Sequence, residues 1–170
     1  MKIVRKKTKD LSKDLIDKIC NLKNTYWTHG LKSNRKWFKK FVKINDINIL
    51  MFEGKNYKNL IGYTLLRIRK FKKLDYTSNY FYLDTLAIKK NFRGKNFSKS
   101  LMKENNKIIK KNKLPAFLIC EKKLINFYKK HSWKLLKNSH FEMVDHDQKK
   151  RTGMVYNFNK KHSNIKFYIY

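Results

Sequence analysis

Turn-forming residues are scarce in this chain: five glycines and one proline, Pro115, punctuate 170 residues. No internal repeat or low-complexity linker interrupts them, so one compact domain over residues 1–160 is expected, with 161–170 a tail or an extra strand. Cysteine is rarer still. Cys20 and Cys120 have no metal-ligand spacing and read as buried thiols of a reducing cytoplasm rather than a disulfide. No run approaches the roughly 18 apolar residues that cross a bilayer, and MKIVRKKTKD lacks the apolar stretch of a secretory signal. A cytoplasmic protein without a membrane partner is the expectation. Acidic residues number 12 against 43 basic ones, and only six of the basic residues are arginine. Proteins that read bases lean on Arg for bidentate contacts to guanine, so this shortage argues against sequence-specific DNA recognition.

Apolar material is plentiful. Hydrophobic residues make up 41% and aromatics 15%, too much for a disordered chain and enough for a real core. The formal net charge of +31 would draw the chain to nucleic acid, acidic membranes or polyanionic ligands. Two readings stay open: solvated lysines inflated by AT-rich codons, or a charge that attracts an anionic cofactor or acceptor.

Periodicity supplies the elements. Lys2–Lys6 is a short strand; Asp10 or Ser12 caps a helix carrying Leu11, Leu15, Ile19 and Leu22, with Asp14 four before Lys18. Lys36–Lys43 is a second helical patch with Trp37, Phe38 and Phe41 on one side. Ile47–Glu53 and Leu60–Arg69 form a hairpin about GKNYKN, and a polar loop over Lys70–Asn79 leads to the strand Tyr80–Ile88. A helix over Phe97–Asn112, the apolar strand Ala116–Cys120, a helix through Tyr128, and strands near Trp133–Leu136 and Met154–Phe158 follow. This alternation predicts a mixed α/β (α+β) fold with helices on both faces of a sheet.

Chemistry concentrates between Tyr80 and Trp133. The strand YFYLDTLAI runs into KKNFRGKNFSKSLM, a basic turn that opens a helix. The first amides of a helix are unpaired and the helix dipole makes that end positive, so a pyrophosphate suits it, aided by Arg93, Lys95 and Lys99, with Gly94 allowing close approach. Taken alone, such a turn is common on lysine-rich surfaces. Likewise Tyr128 read alone is a buried tyrosine packing a helix on the sheet, or a proton donor.

Arg93-Gly94-Lys95-Asn96-Phe97-Ser98 resembles the Arg/Gln-x-x-Gly-x-Gly/Ala turn of the GNAT N-acetyltransferase superfamily. CEKKLINFYKKHSW is similar to the family's second signature, especially the Cys-Glu-x-x-Leu-x-x-Phe-Tyr form of arylalkylamine N-acetyltransferases; aminoglycoside-type enzymes are also close in motif. Asn96 stands where the family has Gly, Ser98 where it has Gly or Ala, and Ser132 and Trp133 where it has Gly and Phe. Asn is the non-Gly residue most tolerant of positive φ, and Ser98 is small and can cap the helix. The resemblance covers about Leu60–Leu136 well and the ends in layout only.

The resemblance implies a mostly antiparallel sheet of about six or seven strands with about four helices. It implies acetyl-CoA as cofactor, bound by Leu86, Ala87 and Ile88, with the backbone of Leu86 and Ile88 bonding the acetyl carbonyl and pantetheine. The amides of Arg93, Gly94, Lys95, Asn96, Phe97 and Ser98 would cradle the pyrophosphate. Tyr128 would protonate the departing thiolate, its ordinary pKa near 10 keeping it protonated at neutral pH. Asp84 occupies the strand position where several family members carry a proton-relaying Glu; inside an apolar run its pKa would rise, which suits a base. It would equally bind the acceptor's ammonium or pair with a Lys or Arg. The acceptor would be a primary amine of a small molecule (an amino sugar, aminoglycoside, arylalkylamine or polyamine), attacked in a ternary complex. A protein or peptide amine, or a catalytically weakened nucleic-acid-associated module, are the alternatives. Similar proteins frequently dimerise, which raises a homodimer.

Other candidates carry less. Glu53 and Glu121 are potential cleft residues, with Glu121 fitting a helix start better. His131, His140 and His146 make no zinc spacing, His146 reading as a surface turn. Cys120 has no evident partner His. Trp27, Trp37 and Phe38 are candidates for the acceptor side, although packing explains them more simply.

Overall fold

The computed structural model describes residues 1–54, 57–73, 76–144, 152–158 and 165–169; the His146 reading lies outside them. The chain divides into two compact units, Met1–Arg67 with Thr85–Asn105, and Ile68–Asp84 with Asn106–Tyr170. Its pairings are mostly antiparallel, and the described residues hold four α-helices, the mixed architecture expected from the sequence.

In the first unit β1 (Lys2–Lys7) pairs antiparallel with β2 (Ile47–Glu53), and β2 with β3 (Asn59–Lys73). Helix α1 (Lys13–Asn24) starts at Ser12, whose hydroxyl accepts the Leu15 N–H at 3.3 Å, and Asp14 pairs with Lys18 at 2.7 Å. Helix α2 (Leu31–Phe41) begins upstream of its aromatic patch because Asn34 seals the first turn. The Asn34 amide donates to the Gly30 carbonyl at 3.1 Å and to Asn24 Oδ1 at 3.1 Å. Ile19, Cys20, Leu22 and Phe38 from these helices pack on Leu50, Phe52, Tyr63 and Leu65. Helix α3 (Phe97–Lys111) is fastened through buried Asn105, whose amide donates to Thr64 Oγ1 at 3.0 Å and to the Leu101 carbonyl at 2.9 Å. A buried polar pair satisfied in this way fixes the helix against β3, whereas either partner alone would be costly.

Of the loop expected over Lys70–Asn79, the described residues 70–73 and 76–79 are instead strand. β3 continues to Lys73, and β4 runs Tyr76–Ile88. The reason is a period-two pattern that the lysines obscure: Arg69 and Phe71 are buried while Lys70 and Lys72 are exposed.

In the second unit β4 pairs in parallel with β5 (Ala116–Cys120), and β8 (Thr152–Tyr156) lies antiparallel between β5 and β6 (Lys134–Leu136). The expected tail contains β9 (Ile165–Tyr168), which pairs antiparallel with Phe71–Lys72 and in parallel with β7 (Phe141–Val144), a strand the sequence left unassigned. The core here is aromatic: Phe117 and Phe167 stack at 4.0 Å and 7°, ringed by Phe71, Tyr80 and Phe141. Helix α4 (Ile125–Lys129) is short and ends in a turn where Ser132 adopts φ 66°.

Gly153 of β8 has no room for a side chain, since a Cβ there would lie 2.6 Å from the Phe141 ring and 3.0 Å from the Phe117 ring. Gly153→Ala should therefore lower stability by about 1–3 kcal/mol, read from urea unfolding midpoints. Ser132→Gly should act oppositely. Relief of a left-handed non-glycine residue, less glycine's entropy cost, should raise stability by about 0.5–1 kcal/mol in the same assay.

Candidate active site

The end of β4 is defined by where its amides point. The Lys89 N–H donates to the Ile61 carbonyl of β3 at 2.7 Å. Successive residues of a strand direct their backbone groups to opposite edges, so Ile88 directs its N–H and C=O away from β3. The described register of β4 with β5 is confined to Phe81↔Ala116 and Tyr82↔Phe117, well before Ile88. A side chain meets Ile88 instead. The Ile88 N–H donates to the Tyr26 hydroxyl at 3.0 Å, and that hydroxyl donates to the Ile88 carbonyl at 2.7 Å. Arg93 Nε donates to the same carbonyl at 3.2 Å, and the guanidinium lies 4.2 Å over the Tyr26 ring.

Tyr26 stands in the turn between α1 and α2. Its own N–H donates to the Lys23 carbonyl at 2.9 Å, and Asn24 Oδ1 accepts the Gly30 N–H at 3.0 Å, closing the turn. Sequence reading missed this residue. Its partner lies 62 positions away, and no local pattern marks it.

After Ile88 the chain passes through a basic turn into α3. Gly94 has φ 78° and Asn96 φ 59°, so Asn96 takes the left-handed conformation that the family's glycine would take. No atom lies within 4 Å of where a Gly94 Cβ would stand, leaving the backbone open to close approach. The Asn96 carbonyl accepts the Ser100 N–H at 3.3 Å, so α3 opens at Phe97 and Ser98 lies inside its first turn rather than capping it. Helix geometry leaves the amides of Phe97, Ser98 and Lys99 without intrahelical partners, and Lys95 and Lys99 are exposed beside them. Alternating backbone of this kind at a helix N-terminus fits the pyrophosphate of acetyl-CoA.

Farther back on β4, Asp84 and Leu86 are half-buried while Thr85 and Ala87 are buried. Asp84 belongs to the second unit, as does Tyr128 of α4. Tyr128 is 7% exposed. Burial pushes its hydroxyl well above the ordinary tyrosine pKa, and nearby Cys120 adds to the shift. Its carbonyl accepts the His131 N–H at 2.9 Å and the Trp133 N–H at 3.2 Å. Asn106 locks the following turn: its amide donates to the His131 carbonyl at 2.9 Å, and its Oδ1 accepts the Trp133 indole N–H at 3.1 Å.

The remaining candidates have other surroundings. Glu53 is exposed and accepts from the Asn59 amide at 2.6 Å across the hairpin. Glu121 precedes a short 3-10 turn and pairs with Lys123 at 2.7 Å. His131 packs edge-on to Phe127, and His140 ends a 3-10 turn. Phe38 is core, whereas Trp37 lies beneath the Lys23 ammonium at 3.2 Å and Trp27 is partly exposed.

The model of the acetyltransferase (GNAT) family matches residues 16–133. No curated protein matches the sequence. Solved structures share the fold at low identity. Escherichia coli ElaA has a TM-score of 0.66 at 15% identity over 91% of this chain and 97% of its own. An aminoglycoside 6'-N-acetyltransferase complexed with coenzyme A has 0.64 at 12%, over 92% and 98%. A chain of the NatC complex bound to Gag peptide and CoA has 0.64 at 13%, over 94% and 100%. With its family's model matched from α1 through the turn after α4, this chain belongs to the acetyltransferase (GNAT) family.

Proposed function

We propose that this acetyl-CoA-dependent N-acetyltransferase acetylates a primary amine of a small molecule, an amino sugar, aminoglycoside, arylalkylamine or polyamine, by direct attack in a ternary complex. The observation that carries the reading is the end of β4: backbone groups of Ile88 turned away from β3, followed at once by the left-handed turn at Gly94 and Asn96 and the N-terminus of α3. An extended ligand bearing amides and ending in phosphates matches that order. Likeness to the aminoglycoside 6'-N-acetyltransferase favours a small acceptor; likeness to the NatC chain keeps a peptide amine as the second reading.

Acetyl-CoA supplies an activated acetyl thioester. In this reading Leu86, Ala87 and Ile88 hold its amide-bearing arm, and the amides of Arg93 through Ser98 hold the pyrophosphate with Lys95 and Lys99 alongside. As the C–N bond forms and the C–S bond breaks, the amine sheds a proton and the thiolate gains one. Tyr128 gives that second proton. Its raised pKa keeps the hydroxyl protonated across the working range, as an acid must be before the step. Asp84 meets the acceptor's ammonium, either relaying its proton or clamping it.

The deciding experiment is an acceptor panel with acetyl-CoA, reading released thiol. Turnover on amino sugars or polyamines but not on peptides supports the proposal, and the reverse pattern favours the peptide reading. Tyr128→Phe should lower kcat by about 10²-fold or more while leaving CoA affinity within about twofold. Because the hydroxyl pKa lies above the ordinary value near 10, kcat of the parent protein should not fall through loss of this proton as pH rises from 7 to about 9.5. A pH-rate profile checks this, and unchanged turnover in Tyr128→Phe would remove the acid role.

A further inference from the structure

We propose that Tyr26 is a place-holder for acetyl-CoA on Ile88, a latch that the cosubstrate must displace to bind. The inference rests on the cofactor reading above and goes beyond it by naming a competitor within the chain.

The hydrogen-bond count at Ile88 is full. A backbone N–H gives one bond and a carbonyl accepts two. The N–H is taken by the Tyr26 hydroxyl at 3.0 Å, and the carbonyl accepts from the Tyr26 hydroxyl at 2.7 Å and from Arg93 Nε at 3.2 Å. One hydroxyl, donating and accepting at once, thus does what the amide of a neighbouring strand would do. A ligand amide directed to Ile88 finds no vacant donor or acceptor while Tyr26 stays.

The contact is also removable. Tyr26 is 37% exposed, and its ring meets Trp27 at 5.6 Å and the Arg93 guanidinium at 4.2 Å. Rotation of one surface side chain frees the Ile88 N–H and one of the two acceptor positions of its carbonyl. The same rotation takes the aromatic platform from Arg93, which stands one residue before the open turn at Gly94. Arg93 is then available to a phosphate, so Tyr26 links the occupancy of Ile88 to the charge presented at the turn. If the latched state is the more populated one, apparent affinity is reduced by the small fraction of open protein.

The test is calorimetric titration of CoA into the parent protein and Tyr26→Phe, which keeps the ring over Arg93 and deletes only the hydroxyl. Losing two hydrogen bonds of ordinary net strength from the latched state should tighten the Kd for CoA by about five- to a hundredfold. In the parent, Trp27 fluorescence should change on CoA addition. Tyr26→Ala, which also loses the ring, should bind CoA at least as tightly as the parent. CoA binding that is equal or weaker in Tyr26→Phe overturns the latch and makes Tyr26 a structural residue or a ligand contact. Absence of CoA binding in both proteins overturns the cofactor reading itself, and the latch with it.

Discussion

A strand that parts from its neighbour must still satisfy the backbone groups on its open edge, and at Ile88 that requirement governs the site. Because Lys89 bonds to Ile61, Ile88 cannot turn to β3. Its two polar groups need a partner from elsewhere in the chain or from a ligand, since buried, unpaired backbone groups are costly. Tyr26 meets them from the turn between α1 and α2, and Arg93 adds a bond from downstream. The geometry that gives an amide-bearing cosubstrate a place to pair therefore also gives the chain a reason to fill that place itself.

Helix α3 depends on the same economy of polar groups. Asn105 is satisfied within the first unit by Thr64 and Leu101, and Asn106 within the second by His131 and Trp133. Two consecutive side chains thus anchor different stretches of chain, one of them the β3 strand and the other the turn that follows Tyr128. Tyr128 itself gains from burial what an exposed tyrosine lacks, a proton held firmly up to high pH.

Parts of this were legible in the sequence because their causes are local. Strand β4, helix α3 and strand β5 follow from runs and periodicity, Ser12 from capping chemistry, and Asn96 from its tolerance of positive φ, which the structure sets at 59°. The family signatures placed Tyr128 on α4. Tyr26 was illegible because its role is made by a hydrogen bond spanning 62 positions. The strand over residues 70–73 was illegible for a different reason: lysines on its exposed face look like loop, and only burial of Phe71 against Tyr80 and Phe167 tells otherwise. Strand β7 needed β9 for pairing, a partner that comes later in the chain.

The charge also divides by residue type. Every described arginine is engaged within the fold: Arg5 with Glu104, Arg35 with Asp17, Arg67 with the Phe41 carbonyl, Arg69 with the Ile169 carbonyl, and Arg93 with Ile88. A planar guanidinium with several fixed donors suits such directed contacts, two of them at the buried Arg67 and Arg69, whereas a strongly hydrated ammonium suits the surface. Lysine accordingly carries the excess outside, with Lys23 over Trp37 a buried exception. A surface of hydrated ammonium groups attracts phosphates broadly and reads little else. At the start of α3 that broad attraction meets directed amides, and there charge becomes a site: the lysines raise the local concentration of an anion, while the backbone at Gly94 and Asn96 decides how it sits.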